Sequence, residues 1–393
     1  MSQWGPQGQT QNPWGAPSNP WGHPATIPGA QYTQAAYRPT AKSSSASRVL
    51  IAILLVPIVL FLLIMLIKIM SSISDTGQDT YNPPPPEPVP VTTSSPVSSP
   101  SSPVSSPSTP STSPSSPQGG TFVNDTYQVP EPDLNPPELP MPQTYDEAAT
   151  WLMSNVFYNQ TIPVPVRCEI PAIDPATASK AQLQTYLNDA IACLMRVWAP
   201  ELQASGYNAA RPSVTIYSGQ MQSPCGKLPS ENAVYCSADQ QVYYAKDLPA
   251  LFPSSQHDPL VPVAVVAHEF GHALQAQSGI LYSESAWQQH YENSGDTTTS
   301  HDLSRRTEMQ ADCFAGAFFQ AVTQSVRITP QQLAAITGVF FSIGDDQLSG
   351  DPTIDGDHGL GANRKAWMNT GLTSTRIGAC NTFADSVTDA SVR

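Results

Sequence analysis

The chain has 393 residues, of which 41 are proline and only 12% are charged, and its formal net charge is −14. This composition excludes a uniformly globular protein and predicts a mixture of folded and unfolded segments. Residues 1–70 hold four of the 17 basic residues and none of the 31 acidic ones, so the remainder carries 13 basic and 31 acidic residues, a net charge of −18. A surface this acidic repels nucleic acid, and we exclude DNA and RNA as partners.

The first predicted segment, residues 1–48, is a disordered tail rich in Gln, Pro, Gly and Trp. The units "NPWGAP" at 12–17 and "NPWGHP" at 19–24 repeat within it. Too few aliphatic residues are present to form a core. The tryptophans Trp4, Trp14 and Trp21 could bind a cytoplasmic partner protein; the simpler interpretation is a solubilised low-complexity tail.

A single transmembrane helix is predicted over residues 49–70. Its apolar part, "VLIAILLVPIVLFLLIMLI" at 49–67, contains no charged or hydrogen-bonding side chain. As a helix it would reach roughly 28 Å, close to the hydrocarbon thickness of a bilayer. A cleaved signal peptide is the alternative, but its apolar core would be shorter and nearer the N-terminus.

The orientation of this span follows from its flanking charges. Arg38, Lys42 and Arg48 precede it, whereas Lys68 alone lies at its far end. By the positive-inside rule, the tail is cytoplasmic and everything after residue 70 is extracellular. The expected location is therefore the cell membrane, with one pass and an extracellular main domain.

Residues 71–143 are predicted to form an extracellular stalk. From residue 82 to 117, 13 of 36 residues are proline and 17 are serine or threonine. Such a segment favours polyproline II, at about 3 Å per residue and on the order of 100 Å in all. Its hydroxyls could carry O-linked sugar.

Cysteine usage agrees with an oxidising compartment. All six cysteines lie beyond the span, and an even number there predicts up to three disulfides. Six cysteines allow 15 pairings. We favour Cys225–Cys236, because a short loop-like segment separates them, and Cys168–Cys193 and Cys313–Cys380 then remain. The absence of a CxxC repeat argues against a structural zinc knuckle.

The folded domain is predicted over residues 144–393 as a mainly helical α+β unit. Capping boxes begin at "TYDE", "SKAQ" and "TPQQ". Strand-like runs include "SVTIYSG" and "AVYCSADQQVYYAKDL", which indicate a small antiparallel sheet. The three capped helices are expected at 145–158, 180–198 and 330–343.

The stretch "AVVAHEFGHALQAQ", residues 264–277, lies on a mostly buried helix expected to begin near residue 260. His268 and His272 are one turn apart and can bind one cation, while Glu269 can face a water on that cation. This spacing suits zinc hydrolysis, in which a carboxylate takes the proton of the bound water. The alternative is a pair of histidines hydrogen-bonded in a core.

A zinc site needs a third ligand. A metzincin continuation would require glycine at 275 and histidine at 278, but Gln275 and Ser278 stand there. The ligand must therefore come from another element. The candidates are His290, His301, Glu308, Asp312 and His358.

The segment "SRRTEMQADCFAGAFFQAV", residues 304–322, offers the best candidate. Helical periodicity places Glu308, Asp312, Ala315 and Phe319 on one core-facing stripe, where acidic groups are costly unless paired or metal-bound. Glu308 can bind the metal, and Asp312 can accept the other N–H of a ligating histidine. The reverse assignment, with Asp312 as ligand, stays open.

Four ordered motifs carry a family resemblance: "HEFGHALQ", "TEMQADCFAGAF", "IGDDQLSGDP" and "HGLGANRKAWMNTGL". Together they resemble the neutral zinc metallopeptidase family of bacterial membrane-anchored proteins, over about residues 209–372. The resemblance implies a gluzincin-like site with one catalytic zinc, held by His268, His272 and Glu308, and Glu269 as the catalytic base. It also implies a peptide or protein substrate.

His358, in "DGDHGLGANR", is a candidate second catalytic residue. A histidine donor near the metal would stabilise the negative charge that develops on the carbonyl oxygen. By the resemblance, this histidine and the following glycine are a motif position; the alternative is a loop histidine that caps the final helix. The aspartates around it could bind calcium, although their spacing does not fit an EF-hand.

The predicted function is that of a membrane-anchored extracellular zinc peptidase, with an extended substrate pairing with the strand near 241–244. One alternative is a cell-envelope binding or assembly protein that retains the zincin fold without cleaving. Another is an autolysin or lipid-modifying hydrolase that uses the same zinc chemistry.

Overall fold

The computed structural model describes residues 121–393. The predicted tail, the transmembrane helix at 49–70 and residues 71–120 of the predicted stalk lie outside the described residues. Among residues 121–393, no helix is both long enough and apolar enough to pass through a bilayer.

The described residues fold mainly into helices. These are α1 (Tyr145–Met153), α2 (Lys180–Ala204), α3 (Leu260–Gln277), α4 (Ile280–Ser294), α5 (Thr297–Val326), α6 (Pro330–Ser342), α7 (Asp345–Ser349), α8 (Gly361–Thr373) and α9 (Asp389–Val392). Short 3₁₀ turns occupy Val156–Asn159, Leu248–Leu251 and Ile377–Cys380. The domain is thus α+β and mainly helical, as predicted.

The predicted helix starts are confirmed. Thr144, Ser179 and Thr329 cap α1, α2 and α6 with side-chain oxygens that accept a backbone N–H three residues on. The predicted ends are less accurate. α1 stops at Met153, five residues early, whereas α2 continues through Pro200 to Ala204.

Three strands form the main sheet: β1 (Val214–Tyr217), β4 (Ala233–Cys236) and β5 (Gln241–Ala245). Their order is β1-β5-β4, with β1 parallel and β4 antiparallel to β5. Strands β2 (Met221–Ser223) and β3 (Gly226–Leu228) form a separate antiparallel hairpin.

The predicted antiparallel pairing is confirmed for β4 and β5 and is wrong for β1 and β5. Residue patterns identify strands of four or five residues but do not reveal their order. The central position of β5 also overturns the prediction that a substrate pairs near residues 241–244, because both edges of that strand are already bonded. Among residues 121–393, no further strand pairs with the outer edge of β4, and β4 lies against α3.

Glycines let α5 approach its neighbours closely. A Cβ added to Gly271 of α3 would lie 2.8 Å from the Cα of Ala311, so this glycine makes room for α5. Gly316 of α5 packs against the carbonyl of Met368 on α8. Gly371 of α8 lies in turn against the carbonyl of Cys313.

The favoured disulfide pairing is confirmed. Cys225–Cys236, Cys168–Cys193 and Cys313–Cys380 are bonded, with Cα–Cα distances of 5.6, 5.3 and 5.5 Å. Two of the bridges bear on the site described below. One joins the β2–β3 hairpin to β4, and the other joins α5 to the 3₁₀ turn at Ile377–Cys380.

The folded unit begins earlier than residue 144. The backbone N–H of Asp133 donates to the carbonyl of Arg211 (2.9 Å), and Gln240 and Gln241 donate to the carbonyls of Pro137 and Asp133 (2.7 and 2.9 Å). Residues 121–143, which the sequence analysis assigned to the stalk, therefore pack on the domain. The sequence does not reveal this packing, because the segment bonds mostly through backbone carbonyls, which every residue has, and its many prolines are typical of an unfolded stalk.

Replacing Gly371 with alanine is expected to lower the free energy of unfolding by about 1–3 kcal/mol, because the new Cβ would collide with the Cys313 carbonyl. The control is Gly338→Ala in α6, where an added Cβ meets nothing within 4 Å. This control should raise stability by about 0.5–1 kcal/mol. Urea denaturation with the disulfides intact measures both; equal stabilities would contradict the close α5–α8 packing.

Candidate metal centre

The HExxH motif lies on α3, which is buried along nearly its whole length. Asp258 accepts the N–H of Leu260 (2.9 Å) at the start of the helix, and Pro262 falls in its first turn, where a missing N–H costs no hydrogen bond. One turn apart on this helix, the rings of His268 and His272 meet edge to face, with centroids 4.7 Å apart. Their orientation brings the two Nε2 atoms to 3.2 Å.

Glu308 of α5 completes a triangle of three side chains that face one another. Its Oε2 lies 3.3 Å from the Nε2 of His268, and its Oε1 lies 3.4 Å from the Nε2 of His272. Zinc bonds of about 2.0–2.1 Å in a tetrahedron require ligand atoms about 3.3–3.4 Å apart. The distance between the two Nε2 atoms, and the distance from each Nε2 to the Glu308 oxygen that it faces, are close to this value. The two histidines face different oxygens of Glu308, and one ligand atom from each of the three residues lies within 4.8 Å of the others, close enough to hold one ion.

The chemistry of this donor set also fits zinc. Two imidazoles and one carboxylate, with a fourth position left for water or substrate, are typical of catalytic zinc sites. The other candidate ligands lie elsewhere: the His290 ring packs on Tyr145 and Trp287, and the Nδ1 of His301 lies 3.5 Å from Asp355. The structure thus brings together the three residues that the family resemblance implies as ligands.

Asp312 occupies the position predicted for it behind His268. Its Oδ1 lies 2.8 Å from the Nδ1 of His268, as close as a hydrogen bond although without the alignment of an ideal one. Because Asp312 faces Nδ1 while Glu308 faces Nε2, the geometry favours Glu308 as the ligand. Arg364 of α8, which the sequence analysis did not single out, donates two hydrogen bonds to Asp312 (2.9 and 2.8 Å).

The histidines and carboxylates of this centre shift one another's pKa values. Burial alone lowers the pKa of His268, but the carboxylates of Asp312 and Glu308 raise it to about 10. Burial likewise opposes ionisation of Glu308, yet His272 and His268 hold the pKa of this carboxyl well below its usual range. A metal bound at the Nε2 of His268 would displace the proton that this raised pKa favours.

His272 is held by a chain of side-chain amides. Its Nδ1 lies 2.8 Å from the Oε1 of Gln275, whose Nε2 donates to the carbonyl of Thr307 (2.8 Å) and to Gln310 (3.1 Å). Gln310 in turn donates to the hydroxyl of Tyr158 (2.9 Å). An acceptor at Nδ1 fixes the tautomer that leaves Nε2 free for a metal. The spacing of Gln275, three residues after His272 on one helix face, was the available sequence signal.

Glu269 lies outside the triangle of His268, His272 and Glu308. It is 7% exposed, and its Oε2 accepts the backbone N–H of Tyr235 in β4 at 2.6 Å. The carboxylate is thus fixed between the HExxH helix and the edge of the sheet. Sequence reasoning missed Tyr235 because a backbone donor leaves no residue signature.

His358 lies in the loop before α8 and is half exposed. Its Nδ1 lies 2.8 Å from the Oδ1 of Asp357 and 3.5 Å from that of Asp345. Although burial opposes the charged imidazole, these two carboxylates raise the pKa of His358. The histidine is therefore oriented by acidic neighbours, and it is not a helix cap.

The aspartates near His358 act as acceptors in turns. Asp345 Oδ2 accepts the N–H groups of His358 and Gly359 (2.9 and 2.8 Å), and Asp346 accepts that of Gly361 (2.8 Å). Asp345, Asp357 and His358 have ligand atoms close enough to hold an ion. Their hydrogen bonds already account for their arrangement, and we assign no calcium to them.

Two histidines from HExxH and a glutamate from a second helix define the class of zinc-metallopeptidase-like sites. The sequence profile of the family described as "Putative neutral zinc metallopeptidase" matches residues 169–383, more than half of the chain. The chain belongs to this family.

Two relatives illustrate how far the similarity extends. The uncharacterized protein YpfJ of Escherichia coli K12 is 28% identical over 237 residues, which cover 57% of this chain and 79% of that protein. The uncharacterized protein Rv2575 of Mycobacterium tuberculosis H37Rv is 29% identical over 208 residues, which cover 48% of this chain and 66% of that protein. No solved structure matches the chain significantly.

Gln275→Leu is expected to weaken zinc binding about 10- to 100-fold, because it removes the acceptor that orients His272. The dissociation constant is measured by competition with a chromogenic chelator. The control is Gln277→Leu: Gln277 is also a buried glutamine of α3, but it bonds the backbone of Ala210 instead. The control should lower stability and leave zinc affinity unchanged; equal zinc affinities for the two variants would contradict the role of Gln275.

Glu284 of α4 is a buried carboxyl that the sequence analysis did not consider. Burial, with a smaller contribution from the charges of Glu308 and Glu292, raises its pKa to about 8. As pH rises above 4.5, the unfolded state loses this proton first, so the native state loses stability until about pH 8.

Glu284→Gln removes this titration. Between pH 5 and pH 8, its stability relative to that of the zinc-free parent protein should therefore rise, on the order of 3 kcal/mol. Urea denaturation of both proteins in chelator at the two pH values measures the difference. A difference that does not change with pH would contradict a raised pKa for Glu284.

Proposed function

We propose that the protein is a zinc-dependent peptidase that hydrolyses peptide bonds. The observation that supports this most directly is that His268, His272 and Glu308 bring one ligand atom each within 4.8 Å of one another, with Glu269 on the same helix as the two histidines. When bound, zinc would supply a Lewis acid that polarises the scissile carbonyl and lowers the pKa of a water. Membership in a zinc metallopeptidase family supports the same chemistry.

Glu269 is the proposed general base. It follows the first ligand directly, and the N–H of Tyr235 orients its carboxylate. In this position it would remove a proton from the attacking water and later deliver it to the leaving amine. Because both the helix and the strand are held in the core, this orientation costs little reorganisation when substrate binds.

The free edge of β4 is the proposed substrate-binding strand. The carbonyl of Asn232 accepts the N–H of Ala245 (2.9 Å), so the alternation of an antiparallel ladder turns the backbone groups of Ala233 and Tyr235 away from β5. The bond between Tyr235 and Glu269 agrees with this direction. An extended peptide added alongside Ala233 would therefore place a peptide bond close to the proposed base.

His358 is proposed to donate a hydrogen bond to the oxyanion that develops during hydrolysis. The carboxylate of Asp357 orients its ring, and the charge of Glu308 is close enough to contribute to its raised pKa. A histidine with a raised pKa that lies near the metal ligands is suited to donate a hydrogen bond to a carbonyl oxygen as it gains negative charge.

We also propose, from the sequence, that the protein is anchored in the cell membrane. The apolar stretch at 49–67 and the basic residues before it support a single membrane pass, with the peptidase domain outside the cell and the N-terminal tail available to a cytoplasmic partner. The three disulfides agree with an oxidising compartment.

Glu269→Gln is expected to retain zinc and to lower kcat about 10²- to 10⁴-fold, because the amide keeps the shape of the carboxylate but cannot accept the proton. The zinc content of the purified full-length chain and the cleavage of a quenched fluorescent peptide library measure the two effects. Wild-type protein stripped with chelator and reloaded with zinc is the control.

Three results would argue against the proposal. A zinc-loaded wild type that cleaves none of the peptides favours a binding or assembly role. Release of products from cell-wall fragments alone would indicate a different hydrolase. Full activity in the Glu269→Gln variant would overturn the assigned base.

A further inference from the structure

A buried arginine connects the two acidic residues of the metal centre. Arg364 is 2% exposed and lies on α8. Its Nε and Nη2 donate to the two carboxylate oxygens of Asp312 (2.9 and 2.8 Å), and the same Nη2 lies 3.3 Å from the Oε2 of Glu308. A single guanidinium thus contacts the proposed ligand and the residue behind a second ligand.

These contacts close a ring around one histidine. His268 lies between the two carboxylates, with its Nε2 3.3 Å from Glu308 and its Nδ1 2.8 Å from Asp312. The oxygens that face His268 are the same atoms that face the Nη2 of Arg364. The guanidinium therefore constrains both acceptors at once, and the planar fork of arginine suits this geometry where the point charge of lysine would not.

The backbone of α8 is held close enough for this contact. Gly371 lies against the carbonyl of Cys313, and Gly316 against that of Met368, so both helices contribute a glycine to the interface. Arg364 reaches the metal centre from this closely packed helix. Its position is consequently set by rigid elements and does not depend on a mobile loop.

We propose that Arg364 is a positioning residue of the metal centre, which orients the carboxylate of Glu308 toward the metal in addition to neutralising Asp312. The inference rests on the zinc role proposed above. A purely structural role would require only that Arg364 balance the buried charge of Asp312. The two roles differ in whether zinc affinity depends on Arg364 once Asp312 no longer carries a charge.

The test separates these roles in a background that lacks the buried charge. Asp312→Asn keeps an oxygen for His268 and removes the need for a counter-charge. Adding Arg364→Met to this variant then removes the contact with Glu308 without leaving Asp312 unpaired. The double variant is expected to bind zinc at least about tenfold more weakly than Asp312→Asn, measured by chelator competition on the full-length chain.

A second variant covers the case in which the double variant does not fold. Arg364→Lys keeps a positive charge beside Asp312 but loses the two-point contact. We expect weaker zinc binding and an altered visible absorption spectrum of the cobalt-substituted protein, which reports the ligand geometry. An unchanged zinc affinity together with an unchanged cobalt spectrum would overturn the inference.

The matched control is the variant with both Asp302→Asn and Arg306→Met. Asp302 and Arg306 also form a buried aspartate–arginine pair, with both residues on α5 and with Nε and Oδ2 2.7 Å apart. Neither residue belongs to the group of His268, His272 and Glu308. It should lower the thermal midpoint and leave the zinc dissociation constant within about threefold of wild type, a smaller change than the roughly tenfold weakening expected for the double variant.

The outcomes separate the two proposals. Equal zinc affinity in Asp312→Asn and in the double variant, with both folded by near-ultraviolet circular dichroism, overturns the role of Arg364. So does a control that loses as much zinc affinity as the double variant. Failure of the wild type to bind zinc at all overturns the proposed function itself.

Discussion

The burial of two carboxylates on one helix is the constraint on which the domain depends. Asp312 is fully buried and the Glu308 side chain is 15% exposed, and neither can remain charged in the core without partners. His268 supplies a partner from α3 and Arg364 supplies one from α8. The same charge pairs therefore hold these three helices together and position the residues of the metal centre. Any other arrangement of the helices would leave a buried charge without a partner.

Helix α5 is the element through which the site is held together. It contacts α3 closely where Gly271 meets Ala311, and it contacts α8 closely at Gly371. The disulfide between Cys313 and Cys380 adds a covalent link, and the carbonyl of Cys380 accepts a hydrogen bond from Gln310 (3.1 Å), which belongs to the amide chain behind His272. Each metal-facing side chain is thus supported by contacts that are themselves buried, which is what a precise ligand geometry requires.

The parts of the site that could be predicted from the sequence are those set by helical periodicity. Residues one turn apart share a face, so the spacing of His268 and His272, and of Glu308 and Asp312, carries geometric information without knowledge of the fold. Arg364 is 52 residues from Asp312, and nothing local distinguishes it from a surface arginine. Local sequence also fails to reveal the strand order, the packing of residues 121–143 and the N–H that Tyr235 donates. Each of these depends on backbone contacts between distant segments.

The contact between Tyr235 and Glu269 makes the register of β4 part of the site. Backbone N–H groups alternate in direction along a strand, so a shift of one residue would turn the Tyr235 N–H toward β5 and leave Glu269 without its donor. Cys236, the next residue, is bonded to Cys225 of the hairpin, and this link opposes such a shift. The cysteine pair that the sequence predicts as a stabilising bridge therefore also fixes the strand that orients the proposed base. The alignment of the substrate and the orientation of Glu269 would then both depend on strand β4.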